Sequence, residues 1–166
     1  MQIHIIPIKN AENIEKIILL SFKKKEISDK KKLLEHCFAY YSLDRILRDI
    51  YNIENREIEF VNKKPYLKTR EKFFSISHSG KYLVIAFSNS ECGVDIEEIK
   101  ERNFVAISNR MKFSCNNLED FYKEWTKFEA NYKLGQLIQN FYTQKYENYM
   151  LTAVSINDKE KFEIII

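Results

Sequence analysis

Glycine and proline are scarce in this 166-residue chain, with only three and two copies. That leaves little material for long flexible linkers or a low-complexity spacer. The three cysteines, Cys37, Cys92 and Cys115, are odd in number and lack CxxC spacing. Neither a disulfide framework nor a structural zinc site is expected from them. No stretch reaches the run of about twenty apolar residues that a membrane span needs. The first residues lack a charged segment followed by an apolar signal core, so a cytoplasmic protein with no membrane partner is expected. Charge of one sign is missing too: 27 basic against 24 acidic side chains leave a net +3. A dedicated nucleic-acid binder carries a stronger bias, and no nucleic-acid partner is expected. What is present in quantity is apolar, 45% of the residues with 14% aromatic, enough for the core of one compact unit.

The chain is organised around Phe74-Ser75-Ile76-Ser77-His78-Ser79-Gly80, the apolar run Tyr82 to Phe87, and Cys92-Gly93-Val94-Asp95-Ile96-Glu97. The first two read as strands joined at a Ser-His-Ser-Gly turn, and the third as a further short strand. On that strand Asp95 and Glu97 are two residues apart and share a face, with Val94 and Ile96 on the other. Adjacent like charges repel, and a hard divalent cation with oxygen ligands is the natural compensation. Trp125 to Lys133 has helical spacing, with Glu129 and Lys133 on one stripe. Glu129 can complete a three-oxygen metal site with Asp95 and Glu97, and Lys133 can face a phosphate on that metal.

Elsewhere, Met1 to Pro7 alternates as an opening strand, and 11–22 has helical spacing through Ile14, Ile17 and Ile18. Lysine runs at 23–25 and 30–32 bracket Ser28 and Asp29, a cap for a long helix over about 29–51. Such runs are ordinarily a solvated face. Ile58 to Val61 is a short strand, followed by a turn at Lys64-Pro65-Tyr66. His78 with Ser77 and Ser79 offers an imidazole and two hydroxyls, a chemistry suited to phosphate; a satisfied structural histidine is the alternative. Ser77 and His78 point opposite ways on a strand, which disfavours a nucleophile and base pairing between them. Phe104 to Met111 reads as a helix, and 141–156 with 161–166 as a closing antiparallel hairpin around Asn157-Asp158.

Gly93-Val94-Asp95-Ile96-Glu97, the upstream Ile76 to Gly80, and Trp125 to Lys133 resemble the signature segments of the 4′-phosphopantetheinyl transferases, of the monomeric two-lobed kind. Lys63-Lys64-Pro65 resembles that family's Gly-Lys-Pro. The similarity runs over roughly residues 60 to 135. It implies an α+β fold of two pseudo-symmetric lobes, about 1–90 and 91–166, each a small antiparallel sheet packed on a long helix. It further implies transfer of 4′-phosphopantetheine from coenzyme A to a serine of an apo acyl or peptidyl carrier protein. Mg²⁺ would be held by Asp95, Glu97 and Glu129, with catalytic roles for Glu129 and Lys133. Coenzyme A would contact Lys31, Lys32, Lys64, Pro65, Ser77, His78 and Lys133, and the protein would act as a monomer.

Three positions depart from the family's pattern. Lys63 replaces its glycine, Phe128 the lysine before Glu129, and Asn117 a glutamate cast as base for the attacking serine. Asn117 cannot accept a proton at neutral pH. Two other functions therefore stand beside the transferase. One is a coenzyme A or carrier-protein binding protein without turnover, and the other a metal-dependent phosphohydrolase.

Overall fold

The computed structural model describes residues 1–8, 29–138 and 140–166. The helix expected over 11–22 and the lysine cluster at 23–25 lie outside the described residues. Along the chain come β1 (Gln2–Pro7), α1 (Lys30–Asp49), β2 (Ile58–Val61), β3 (Lys64–Leu67), β4 (Phe73–Ser79), β5 (Tyr82–Ser88) and β6 (Cys92–Glu98). Then follow α2 (Phe104–Met111), α3 (Leu118–Leu134), β7 (Phe141–Tyr146), β8 (Tyr149–Ser155) and β9 (Glu163–Ile165). The fold class is α+β.

One sheet has the order β4-β5-β1-β9 and a second the order β6-β8-β7, with β2 and β3 forming a separate hairpin. The two central strands β5 and β8 are buried along their whole length. That burial explains why Tyr82 to Phe87 is apolar at every position rather than alternating. Alternate residues of β5 serve different layers. Leu83, Ile85 and Phe87 pack with Phe74 against Leu43, Ile46 and Leu47 of α1. Val84 and Ala86, with Ile3 and Ile5 of β1, meet Val94 and Ile96 of β6 and Leu151 and Ala153 of β8. The outer face of the second sheet carries α3, through Phe121 and Tyr122 on Met150 and through Ala130 and Leu134 on Val154. The order of layers is thus α1, first sheet, second sheet, α3.

Helix α1 starts where expected, because the Asp29 side chain accepts from the backbone N–H of Lys31 at 2.9 Å and of Lys32 at 3.3 Å. Two local expectations change. Lys64-Pro65-Tyr66 is the start of β3, not a turn, and the turn lies one step earlier. Asn62 and Lys63 both have positive φ, 49° and 68°, which is the two-residue hairpin geometry that matches strand twist. Lys63, at the family's glycine position, therefore occupies a left-handed conformation that glycine adopts without steric cost. The second change concerns the C-terminus. The closing hairpin is β7 with β8, turning at Glu147 and Asn148, whereas β9 crosses to the first sheet and pairs in parallel with β1.

Gly93 shows how closely α3 approaches β6. A Cβ built there would overlap the backbone carbonyl oxygen of Ala130, so the helix lies directly on the strand backbone. Gly93→Ala is expected to destabilise the protein by about 1–3 kcal/mol, the usual cost of overpacking, because a backbone carbonyl cannot rotate away. Thermal denaturation followed by circular dichroism would read this as a lowered Tm.

Candidate functional site

The edges of the two sheets meet where β4 runs beside β6. No β4–β6 backbone ladder is formed among the described residues; serine hydroxyls take its place. Ser75, Ser77 and Ser79 recur with the strand period, on the face turned toward β6. Their Oγ atoms accept the backbone N–H groups of Val94 at 3.0 Å, Ile96 at 3.4 Å and Glu98 at 3.0 Å. Two of these hydroxyls also donate onward, Ser77 to Asp95 Oδ1 at 2.8 Å and Ser79 to Glu97 Oε2 at 3.1 Å. Each hydroxyl in that pair acts as acceptor and donor at once, as its lone pairs and single proton allow.

Asp95 is only 4% exposed. Its Oδ1 receives Lys133 Nζ of α3 at 2.7 Å as well as Ser77, and the same ammonium donates to the Val94 carbonyl at 3.1 Å. Its Oδ2 is buried and, among the described residues, has no hydrogen-bond partner. An unpartnered buried carboxylate oxygen is expensive, and it is where a ligand is expected. Burial and then the charge of Asp95 push the Glu97 carboxyl above its usual range, although Ser79 and the Trp125 side chain hydrogen-bond to it. Burial and then Asp95 push the Glu129 carboxyl up as well. The three carboxylates expected as metal ligands therefore share one electrostatic neighbourhood, with Lys133 as the cation. Among the described residues, no group of three Asp, Glu, His or Cys side chains stands ready to hold an ion.

The remaining expected residues fall in two further groups. His78 is exposed on β4, its Nδ1 3.9 Å from Glu35 Oε2, and Lys31 Nζ is 3.9 Å from Glu35 Oε1. The first turn of α1 and the end of β4 thus bring Lys31 and His78 to a common carboxylate, with Lys32 exposed on the same turn. Lys64 and Pro65 line a cleft of about 470 Å³ together with Lys133. Lys64 Nζ lies 3.4 Å from both Glu91 Oε2 and the Cys92 carbonyl. Ser77 and Ser79 belong to the strand rather than to the turn, which is formed by Gly80 and Lys81. Ser77 is buried, and its hydroxyl is engaged by the protein.

Residues that sequence reasoning did not single out are Ser75, Glu35, Glu91 and the Trp125 contact with Glu97. For the serines a signal existed in their period-two recurrence. Cys92 is a packed small side chain: it is buried, and desolvation pushes its thiol up to about 12. Asn117 is the N-cap of α3, its Oδ1 accepting from the Asp120 N–H at 2.9 Å. Phe128 packs beside the rings of Phe113 and Trp125. A larger cavity, about 700 Å³, lies between α1 and residues 54–60 but contains none of the expected site residues. Its arginines are already paired, Arg45 and Arg48 with Asp49 and Arg56 with Asp44.

Comparison with known proteins bears on this arrangement. The 4′-phosphopantetheinyl transferase psf-1 of Bacillus pumilus is 32% identical over 105 residues, covering 54% of this chain and 44% of that protein. The chain is similar to a transferase of this kind. It spans less than half the length of that relative. No protein-family model matches the chain. No helix among the described residues is long and apolar enough to cross a membrane.

The upward shifts give a test that needs no substrate. A carboxyl raised in the fold adds stability below its ordinary value, and that contribution is lost as pH rises through the folded value. At pH 7 without divalent cations, Glu97→Gln and Glu129→Gln should therefore raise Tm, the gain shrinking as the pH is lowered toward 4.5, the ordinary value of these carboxyls. Melting curves across that range check the sign.

Proposed function

We propose that this protein transfers the 4′-phosphopantetheine group of coenzyme A to a serine of an apo acyl or peptidyl carrier protein. The observation that carries the proposal is the buried Asp95 Oδ2 without a partner, beside two carboxyls whose ionisation Asp95 disfavours. Partial similarity to a named transferase supports the reaction type. Oxygen donors, one of them orphaned, are the chemistry that suits a hard divalent ion; the three carboxylates do not stand ready around one point, and Asp95, Glu97 and Glu129 would hold Mg²⁺ by drawing together on it. When bound, Mg²⁺ supplies charge neutralisation on the pyrophosphate.

In this reaction the carrier serine oxygen bonds to the β-phosphorus, the bridging P–O bond breaks, and 3′,5′-adenosine diphosphate leaves. The serine proton passes to a base. Lys133 donates two of its three protons to Asp95 and the Val94 carbonyl, which leaves the third for a phosphate oxygen. Lys64, at the cleft, faces the nucleotide side, and Lys31 and Lys32, with the His78 imidazole beside Lys31 at Glu35, form the patch for the 3′-phosphate. Ser77 positions Asp95 through its 2.8 Å hydrogen bond. Fixed charges where phosphate charge accumulates do most of what catalysis needs here. The chain is read as two lobes, 1–90 and 91–166, with its last strand returned to the first sheet, and as a cytoplasmic monomer.

Asn117 favours a second reading, coenzyme A binding without turnover. Its side chain caps a helix, and nearby Glu119 is paired with Lys145 and Lys123, which hold its carboxyl below the usual range. Neither is placed to act as a base, a role that then falls to Glu129 or to a bound water.

Mass spectrometry of an apo carrier protein incubated with this protein, coenzyme A and Mg²⁺ tests the proposal. The expected result is a phosphopantetheine adduct, abolished in a folded Asp95→Ala variant. Coenzyme A binding by calorimetry with no adduct would instead identify the binding protein, and hydrolysis of coenzyme A without carrier the phosphohydrolase. His78→Ala should raise the KM for coenzyme A several-fold and leave kcat nearly unchanged, as expected for a contact made equally in ground and transition states.

A further inference from the structure

Tyr132 is 75% exposed on α3, yet it lines the 470 Å³ cleft together with Pro65 and Ile76. One turn earlier on the same helix, Phe128 is flanked by the rings of Phe113 and Trp125. Among the described residues no ring packs on Tyr132, so a large apolar surface stands open at the cleft mouth. Beside it are three cations, Lys63, Lys64 and Lys133. An inorganic phosphate or a simple acyl phosphate makes use of the cations but not of the ring. A ligand that is flat and apolar at one end and polyanionic at the other uses both, and a purine nucleotide has that chemistry. The volume lies within the range of small-ligand sites and exceeds what one phosphate needs.

We propose that Tyr132 is the stacking wall for the purine of a bound nucleotide whose phosphates reach Lys64 and Lys133. The base lies between the phenol ring and the apolar surface of Pro65 and Ile76. Identifying that nucleotide as the adenosine end of coenzyme A rests on the transferase reading above; the stacking itself does not. Tyr132 then becomes a residue for donor affinity and base selectivity, separate from the carboxylates that act on the pyrophosphate.

Calorimetry on the full chain, with adenosine 3′,5′-bisphosphate and 4′-phosphopantetheine as separate probes, tests this. Removing an aromatic partner from a stacked base commonly weakens binding by about tenfold. Tyr132→Ala should therefore raise the Kd for the bisphosphate about tenfold, and Tyr132→Phe should keep it within about twofold. Phosphopantetheine affinity should be the same in all three proteins. Because Tyr132 is exposed, melting curves should stay close to the parent. The proposal is overturned if the parent does not bind the bisphosphate, if Tyr132→Ala binds it as well as the parent, or if both probes weaken equally. It is also overturned if the variant raises the KM for the carrier protein while coenzyme A affinity is unaltered, which would make Tyr132 a protein contact. Tyr132-dependent bisphosphate binding in a protein that never transfers phosphopantetheine would sink the transferase reading and leave the nucleotide site standing.

Discussion

Two sheet edges are joined in this protein by serine hydroxyls instead of peptide groups, and the candidate site exists because of that substitution. An edge strand carries backbone N–H groups that must find acceptors when buried. A further strand pairing with β6 would satisfy them, but its peptide groups would have no proton left for Asp95 and Glu97. Ser75, Ser77 and Ser79 accept those N–H groups from a neighbouring sheet, and a hydroxyl has a proton left to give. Ser77 and Ser79 give theirs to the carboxylates. The same atoms close the seam between the sheets and orient the acidic groups, so stability at the seam and geometry at the site are one set of bonds.

Charge at the seam is only partly balanced. Lys133 neutralises one oxygen of Asp95, and nothing in the described structure meets the other. Burial first, and then the charge of Asp95, makes Glu97 and Glu129 hold their protons more tightly. One buried and two half-buried carboxylates with a single cation among them cost folding energy, which is a common signature of a site shaped for a ligand rather than for stability. The packing around them is rigid enough to hold that cost in place. Gly93 allows α3 to lie on the strand backbone, and Thr126 of that helix hydrogen-bonds to Thr152 of β8 at 2.8 Å in the buried interior. Lys133 is delivered to Asp95 by this contact between helix and sheet.

Much of this was legible in the sequence, for local reasons. The alternation Val94, Asp95, Ile96, Glu97 requires opposite faces, and Val94 and Ile96 do lie in the core between the sheets. The stripe of Glu129 and Lys133 follows from helical spacing, and α3 carries it to β6. Other features were not legible because they depend on contacts far apart in sequence. Next to His78 the hydroxyls of Ser77 and Ser79 suit a phosphate, and nothing local in the sequence shows that they bond to residues eighteen positions later. The sequence places Lys64 in a turn, but the left-handed pair Asn62 and Lys63 sets the turn one step earlier and brings Lys64 toward Glu91. The last strand carried no signal of its partner. Its three residues are equally compatible with a hairpin to β8 and with the parallel pairing to β1 that the fold adopts.

That parallel pairing has a consequence for how the polypeptide acquires its shape. Gln2, Ile3 and His4 are matched with Glu163, Ile164 and Ile165, so this pairing waits for residues made much later in the chain. Contacts of such long sequence separation slow folding, since the loop between them must close before they contribute. During synthesis on the ribosome, β1 can join β5 well before β9 emerges, and until then its other side is an open template for unwanted strands. Strand β9 thus supplies the cover that makes the β1 side of the first sheet safe from self-association.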